Sequence, residues 1–153
     1  MKWENVKIKQ LLHRHRLLKE TYSYDWSLIK TLWYVFIKNS HELCSIADKG
    51  LVFSIILAKK TDETLYIKSI YLSKDFQNNA ELVHYFNILF NQYNNLKLKY
   101  VWLKIKPDNT KAIDFFTEVL DFEIDDYEVL KEFMTKDVIT YNEKLLTREL
   151  DII

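Results

Sequence analysis

The residues of this chain that could do chemistry lie in a few short segments. In the run from Leu65 to Leu72, the titratable side chains are Tyr66, Lys68 and Tyr71, and there is no carboxylate. A neutral tyrosine is a poor base near pH 7, because its pKa is about 10. A reaction that must remove a proton from an amine needs a general base or a held water molecule. This run supplies no evident base, so the catalytic residues stay unassigned.

A polar segment before the clearest helical pattern could bind an anion. Gln77, Asn78 and Asn79 come immediately before that pattern. The first amides of a helix have no partners within it and its dipole is positive at that end, so a phosphate there is physically reasonable. The same segment could also be a plain polar turn. Asn109 precedes a second helical pattern and suits an N-cap.

Cysteine and histidine give no sign of a nucleophile or a metal site. The single cysteine, Cys44, lies in an apolar run, which favours a buried structural thiol and excludes an internal disulfide. A reducing, cytoplasmic location is therefore expected. His13 and His15 are two residues apart on a predicted helix and point to different faces, so no metal site is expected.

The composition predicts one globular domain over residues 1–153. Hydrophobic residues make up 48% and charged residues 29%, and no segment has the apolar length of a membrane helix or the layout of a signal peptide. The 22 basic and 22 acidic residues cancel. Residues 1–20 are mainly basic and could contact nucleic acid, although a solvated helix face is more common. Residues 114–128 hold seven acidic residues and no Lys or Arg.

Hydrophobic periodicity predicts a strand, two helices, three strands, a helix, a strand, a helix and two strands. The predicted strands cover residues 6–8, 43–47, 51–58, 64–72, 100–106, 122–130 and 138–145. Predicted helices cover 11–22 and 80–93, with others starting after Ser23 or Asp25 and after Asn109. The second helix is predicted to bury the face that holds Trp26, Ile29, Trp33, Phe36 and Ile37. The last helix is predicted to bury the face that holds Ala112, Ile113, Phe116, Val119 and Leu120.

Turns must be made with one glycine in the whole chain. Asn and Asp tolerate positive φ best among the other residues, so they are expected at tight turns. Asp48-Lys49-Gly50 is predicted to join two strands as a hairpin. Asp121 is predicted to take the left-handed conformation after the last helix.

Three stretches resemble the GNAT (N-acetyltransferase) superfamily. From Pro107 to Phe122, an Asn, an Ala three residues later, an aromatic pair and a Leu-x-Phe end resemble the last helix of that family. Residues 46–55 resemble its second hairpin, and residues 65–77 its fourth strand running into the cofactor loop. The resemblance implies an α+β fold with a GNAT-type mixed, mostly antiparallel sheet and helices on both faces.

The resemblance also implies acetyl-CoA as a substrate, bound where the fourth and fifth strands splay apart. Backbone groups of Ile70, Tyr71 and Leu72 would pair with the pantetheine arm, and the loop before the third helix would hold the pyrophosphate. The loop residues are Gln77, Asn78, Asn79, Ala80, Glu81 and Leu82, with Asn109 and Phe116 beside the cofactor. Ala80 and Leu82 stand where the family has smaller residues. Phe116 stands where many members have a tyrosine that protonates the leaving thiolate.

The function implied is acetyl-CoA-dependent N-acetyltransfer to a primary amine by direct attack. The alternatives are a catalytically inactive GNAT-like binding or regulatory domain and, less favoured, a nucleic-acid-associated protein. The acidic residues 114–128 would attract a cationic amine or a protein lysine, although a solvated surface explains them as well. No membrane partner is expected, and a homodimer is left open.

Overall fold

The computed structural model describes residues 2–21, 24–60, 63–74, 79–94, 98–105, 110–124 and 144–149. Within these ranges, seven strands form one sheet in the order β1-β2-β3-β4-β5-β7-β6. The described pairs are antiparallel except β4 with β5, which confirms the predicted mixed, mostly antiparallel sheet. The strands are β1 (Glu4–Asn5), β2 (Glu42–Asp48), β3 (Leu51–Lys60), β4 (Thr64–Leu72), β5 (Tyr100–Ile105), β6 (Glu123–Ile124) and β7 (Lys144–Glu149).

The sheet is covered by helices on both faces, as predicted. These helices are α1 (Leu11–Leu18), α2 (Leu28–Thr31, continued as a π-helix over Leu32–Ile37), α3 (Asn79–Asn94) and α4 (Thr110–Asp114, continued as a π-helix over Phe115–Val119). Helices α1 and α2 pack on the face that carries Leu43 and Ile55, whereas α3 and α4 pack on the face that carries Cys44 and Ile56. Successive strand residues alternate between the two cores because side chains alternate along a strand.

The predicted apolar stripe of α3 is confirmed. The side chains at helical spacing along α3 are buried against the sheet, with Phe86 about 1% exposed. Phe86 contacts the rings of Trp3, Phe90 and Phe116. The α3/α4 core therefore extends from the N-terminal segment to the helix after β5.

Three predicted element boundaries are wrong. The first strand is β1, and Ile8 lies in a 3₁₀ turn at Ile8–Gln10, because the Gln10 side chain accepts a hydrogen bond from Lys7 N (2.9 Å) and turns the chain. Helix α1 ends at Leu18, whose carbonyl accepts from the Thr21 hydroxyl (2.8 Å). The predicted strand over 138–145 ends too early, since β7 extends to residue 149; residues 125–143 lie outside the described ranges.

The predicted start of the second helix is wrong, and its predicted buried face is wrong in part, since Trp26 and Phe36 pack against the α1/α2 core as expected. Ser27 caps α2 by accepting a hydrogen bond from Lys30 N (3.1 Å), whereas Asp25 lies outside the helix and Ser23 lies outside the described residues. Ile29, Trp33 and Ile37 are 78%, 52% and 59% exposed, and Thr31 and Val35 are buried instead. The later start and the π-turns place different residues against the sheet than regular α-helical spacing would.

A π-helix also changes which residues of the last helix are buried. Val119 was predicted in the buried stripe of α4 but is exposed, whereas Ile113, Phe116 and Leu120 are buried as expected. Phe115–Val119 is a π-helix, closed by the Leu120 N–H donating to the Phe115 carbonyl (3.2 Å). A π-turn rotates the following side chains relative to an α-helix, which places Val119 outside the core.

The turn residues follow from the shortage of glycine. Asn39 and Asp121 take φ of 54° and 59° directly after α2 and α4, so the prediction for Asp121 is confirmed. The β2–β3 hairpin pairs Asp48 with Leu51 and turns through Lys49 and Gly50 at φ of 50° and 81°. Two positive φ values in a two-residue loop are typical of a type I′ turn.

Lys49→Asn is expected to stabilise the protein. Asparagine adopts positive φ with less strain than lysine, and Asn-Gly is the favoured type I′ pair, so we expect a gain of ~0.5–1 kcal/mol in the free energy of unfolding. The matched control is Lys7→Asn, an exposed position with φ of −81°. Urea titration of both variants measures the difference. An equal effect at the two positions would contradict the strain argument.

Candidate functional site

The parallel strands β4 and β5 separate after four residue pairs. Their pairing runs from Thr64 with Tyr100 to Ile67 with Leu103. Beyond this point β4 stays paired to β3 as far as Leu72, and β5 stays paired to β7 as far as Ile105. Each strand therefore follows its outer neighbour, and a V-shaped opening forms between Lys68–Leu72 and the end of β5.

The predicted pantetheine-binding residues lie along one side of this opening. Ile70 and Leu72 are half-buried against the α3/α4 core, whereas Tyr71 is half-buried against the α1/α2 core. The Tyr71 carbonyl accepts a hydrogen bond from the Ser54 hydroxyl (2.7 Å), which fixes this part of β4 to β3. The strand is thus held in place from the side away from the opening.

The predicted pyrophosphate loop is described only at its helical end. Helix α3 starts at Asn79, with Ala80 and Glu81 exposed in its first turn. Leu82 is buried in the α3/α4 core, so its side chain points away from the helix start. Gln77, Asn78 and the Asn79 side chain lie outside the described residues.

The last helix places Phe116 in the core. Its ring is about 5% exposed and contacts the rings of Phe86, Phe115 and Phe122 at centroid distances of 5.5, 5.3 and 5.4 Å. The predicted contact of Phe116 with a cofactor stays a prediction. Asn109 lies outside the described residues.

A cluster that sequence reasoning missed lies on the α1/α2 face beside the opening. The Trp26 ring contacts Tyr34 and His41 at centroid distances of 5.0 and 4.8 Å. The ammonium of Lys68, the first β4 residue beyond the last β4–β5 pair, lies 4.5 Å from the Trp26 ring centroid. Tertiary packing assembles these rings, so no spacing in the sequence signals them.

The His41 ring is held neutral by its surroundings. Burial is the largest cause, and the positive charges of Lys68, Lys59, Lys38 and Lys30 act in the same direction, so that the pKa of His41 falls to about 4. The Ser40 hydroxyl lies 2.8 Å from His41 Nδ1. The ring therefore stays uncharged among four lysines at neutral pH.

The acidic residues of the last helix lie away from these lysines. Asp114 and Glu118 are exposed on α4, which packs on the opposite face of the sheet from Trp26, and Asp121 and Glu123 are exposed after the helix. Asp125, Asp126 and Glu128 lie outside the described residues. The role of this acidic surface in attracting a cationic amine stays a hypothesis.

Cys44 is a structural thiol, as predicted. It is buried and donates a hydrogen bond to Asn5 Oδ1 (3.2 Å), and burial raises the pKa of the thiol to about 11. His13 is exposed while His15 is buried and donates from Nε2 to the Trp26 carbonyl (3.0 Å). Among the described residues, no three His, Cys, Asp or Glu side chains are grouped to bind a metal, and no helix is long and apolar enough to span a membrane.

Comparison with solved structures shows that the chain has the GNAT fold. The ribosomal-protein-S18-alanine N-acetyltransferase from Escherichia coli is 12% identical with a TM-score of 0.74, covering 99% of this chain and 95% of that one. Ard1 from Thermoplasma volcanium is 15% identical with a TM-score of 0.69, covering 98% and 97%. Spermidine N-acetyltransferase from Vibrio cholerae, solved with CoA and spermine, is 11% identical with a TM-score of 0.72, covering 99% and 96%.

The likeness is one of structure at low sequence identity. No protein-family model matches the chain, and no curated protein matches it by sequence. The predicted resemblance to the GNAT superfamily is confirmed at the level of the fold.

Phe116→Tyr is expected to destabilise the protein. A hydroxyl added to this buried ring would lack a partner among the surrounding phenylalanines, which costs ~1–3 kcal/mol. The matched control is Phe115→Tyr, because Phe115 is half-buried and a hydroxyl there can reach water. Urea unfolding of the two variants measures the cost. If Phe116→Tyr were as stable as the control, the new hydroxyl would have to lie at the opening rather than in the core.

His41 is expected to make the protein less stable in mild acid. Its folded pKa of about 4 lies below the ordinary value of 6.5. The unfolded state therefore gains a proton first as the pH falls. Stability is complete above pH 6.5 and decreases between pH 6.5 and 4. A difference of about 2.5 units at ~1.4 kcal/mol per unit would give ~3.5 kcal/mol, and solvent screening reduces the expected decrease to ~2–3 kcal/mol. Denaturant titrations over this range should show a smaller decrease in His41→Gln, while His13→Gln at an exposed site should match the wild type.

Proposed function

We propose that this protein is an acetyl-CoA-dependent N-acetyltransferase that passes the acetyl group to a primary amine by direct attack. The observation that carries the proposal is the separation of β4 from β5 after Ile67 and Leu103. An extended chain such as a pantetheine arm can lie in such an opening and pair with strand backbone, as a peptide strand would. The acetyltransferases that share the fold support the same activity.

The residues proposed to hold acetyl-CoA surround this opening. Backbone groups of Ile70, Tyr71 and Leu72 would pair with the pantetheine arm. The pyrophosphate would bind at the start of α3, a 16-residue helix whose first amides and positive dipole end favour an anion. The proposed loop and flanking contacts are Gln77, Asn78, Asn79, Ala80, Glu81, the backbone of Leu82 and Asn109, whereas the Phe116 ring lies in the core behind them. Glu81 is exposed, and its carboxylate would oppose the phosphates by ~0.5–1 kcal/mol.

The proposed site accounts for the binding and orientation of acetyl-CoA, but strand β4 contributes no evident acceptor for the amine proton. Attack by the amine nitrogen on the thioester carbonyl forms the C–N bond, breaks the C–S bond and releases one proton from the nitrogen. Strand β4 carries no carboxylate to accept that proton, so we propose that a water molecule takes it. Phe116 has no proton to give, and the leaving thiolate would be protonated by solvent.

A second candidate is a GNAT-like domain that binds a ligand or partner without catalysis. The burial of Phe116 among Phe86, Phe115 and Phe122 favours it, because this position then serves packing. The burial of Leu82 weighs against it, since this side chain does not obstruct the start of α3.

Calorimetry with acetyl-CoA and with free CoA tests the proposal. We expect a dissociation constant in the micromolar range, or about −8 kcal/mol. Release of free thiol in the presence of a panel of amines would then report transfer. No binding at millimolar acetyl-CoA would contradict the enzyme proposal. Binding without thiol release from any amine would favour the non-catalytic domain.

The place of the pyrophosphate is tested by Ala80→Asp. An acidic residue in the first turn of a helix is compatible with the dipole, so the fold should be kept while phosphates are repelled. We expect acetyl-CoA affinity to fall at least ~10-fold, which corresponds to ~1.4 kcal/mol. The control is Asn87→Asp, which adds the same charge at an exposed position in the middle of α3. An equal effect of both changes would show that the phosphates bind elsewhere.

A further inference from the structure

A cavity of about 460 Å³ lies at the β1 edge of the sheet, lined by residues of β1, α1, β2 and α3. Its volume is in the usual range of small-molecule sites, ~300–1,000 Å³. Strand β3 lies between β2 and β4, so this cavity is distinct from the β4–β5 opening. Three of its lining residues are cations, Lys2, Lys7 and Arg14, and one is a carboxylate, Glu4. It is called the Arg14 cavity below.

The Arg14 guanidinium is not committed to an acceptor of opposite charge. One terminal nitrogen donates a hydrogen bond to His13 Nδ1 (2.9 Å), and Nε is buried without a partner. Within the described residues, no carboxylate forms an ion pair with Arg14, Lys2 or Lys7. Nearly all buried donors in proteins are hydrogen-bonded, and a guanidinium binds a carboxylate or phosphate through two parallel N–H bonds. The unpaired state of this group therefore indicates an anionic partner from outside the chain.

The amide side chains of the cavity also present donors. Asn5 Oδ1 accepts a hydrogen bond from the Cys44 thiol (3.2 Å), and Gln10 Oε1 accepts one from Lys7 N (2.9 Å). Each bond uses the carbonyl end of the amide, which leaves the NH₂ end of Asn5 and of Gln10 as a donor. A ligand that is rich in acceptor oxygens suits such walls.

A neighbouring cavity of about 260 Å³, which shares Trp3 and Asn5 with the first, has its charges paired within the chain. The Tyr93 hydroxyl donates to Glu42 Oε2 (2.8 Å), and Glu42 Oε1 lies 2.7 Å from Lys60 Nζ. The charged groups on that side therefore need no ligand. The unpaired cations are confined to the Arg14 cavity.

We propose that the Arg14 cavity binds a small organic molecule through a phosphate or carboxylate group that pairs with the Arg14 guanidinium. Lys2 and Lys7, which are exposed at the rim, add to the attraction, and the exposed Glu4 opposes it. The site uses none of the residues proposed to hold acetyl-CoA, so this inference is independent of the proposed function. It gives part of the basic segment 1–20 a role in binding a small molecule rather than nucleic acid.

An NMR titration with three anions and an uncharged match tests the inference. Inorganic phosphate is the bare oxyanion, glucose 6-phosphate and gluconate carry a phosphate and a carboxylate on similar bodies, and glucose is uncharged. The chain has three arginines, so the Arg14 Nε–H signal can be assigned with the variant Arg14→Lys. We expect glucose 6-phosphate or gluconate to shift this signal saturably, and glucose to leave it unchanged.

Three outcomes of that titration would overturn the inference. These are no shift with any anion at millimolar concentration, an equal shift with glucose, and a shift with inorganic phosphate alone. A response to glucose 6-phosphate or to gluconate supports the site, and their relative affinities show whether a phosphate or a carboxylate is preferred.

Charge variants locate the bound anion by calorimetry. Arg14→Gln should weaken binding at least ~10-fold, because it removes charge-assisted hydrogen bonds, and Arg14→Lys should lose less, because it keeps the charge without the planar fork. Glu4→Gln should tighten binding by removing the opposing carboxylate. The control is Arg16→Gln, an exposed residue of the same helix that does not line the cavity. Equal weakening in Arg14→Gln and Arg16→Gln would overturn the assignment.

Two further measurements separate this site from the alternatives. Ala80→Asp should leave anion binding unchanged, and Arg14→Gln should leave acetyl-CoA affinity unchanged. If Ala80→Asp abolished anion binding, the anion would lie at the start of α3 and the inference would be wrong while the proposed function gained support. If a single-stranded RNA bound more tightly than any small anion, and Arg14→Gln and Arg16→Gln weakened it equally, the basic segment would be a nucleic-acid surface and the inference would again be wrong.

Discussion

Four residue pairs between β4 and β5 join the two halves of the sheet. On one side of this junction β1 to β4 form an antiparallel sheet, and on the other side β5 pairs with β7 and β7 with β6. Parallel pairing is slightly weaker per residue than antiparallel pairing, so such a short junction needs support from the cores. The α3/α4 core provides it, because it contains Ile56 and Leu65 from the first half together with Val101 and Leu146 from the second.

The two cores differ in a way that shapes the site. The α3/α4 core spans both halves of the sheet, whereas the α1/α2 core takes its strand residues from β2 and β3 with Tyr71 of β4 at its edge. The face under α3 is therefore fixed on both sides of the opening. On the other face, α1 and α2 are anchored to one half, and the Trp26 cluster ends at the edge of the opening. The opening is therefore bordered by a core that spans both halves of the sheet on one face, and by a core that belongs to one half on the other face.

The order of elements could be predicted because each depends on local periodicity. The stripe of α3 and the runs of β2 to β4 appear in the sequence, and these elements then form the mixed sheet. The face of α2 could not be predicted in this way. Its cap is Ser27 rather than Ser23 or Asp25, and its second half is a π-helix, so α-helical spacing selected Trp33 and Ile37, which are exposed.

The candidate site was predictable in part for a similar reason. The position of Ile70, Tyr71 and Leu72 beside the opening follows from strand order, and the start of α3 follows from the polar residues before its stripe. The lysines around Trp26 are brought together by packing between residues far apart in the chain, from Trp26 to Lys68. The acidic run after residue 114 could be recognised from the sequence, because neighbouring charges are visible in a sequence while charges brought together by folding are not.

The balance of 22 basic and 22 acidic residues hides this separation of charge across the fold. Lys68 and Lys30 lie over the Trp26 ring on the α1/α2 face, and the exposed carboxylates of Asp114 and Glu118 lie on α4, which packs on the other face. In the proposed reaction, strand β4 carries no carboxylate to accept the proton of the attacking amine, and water must carry that proton away.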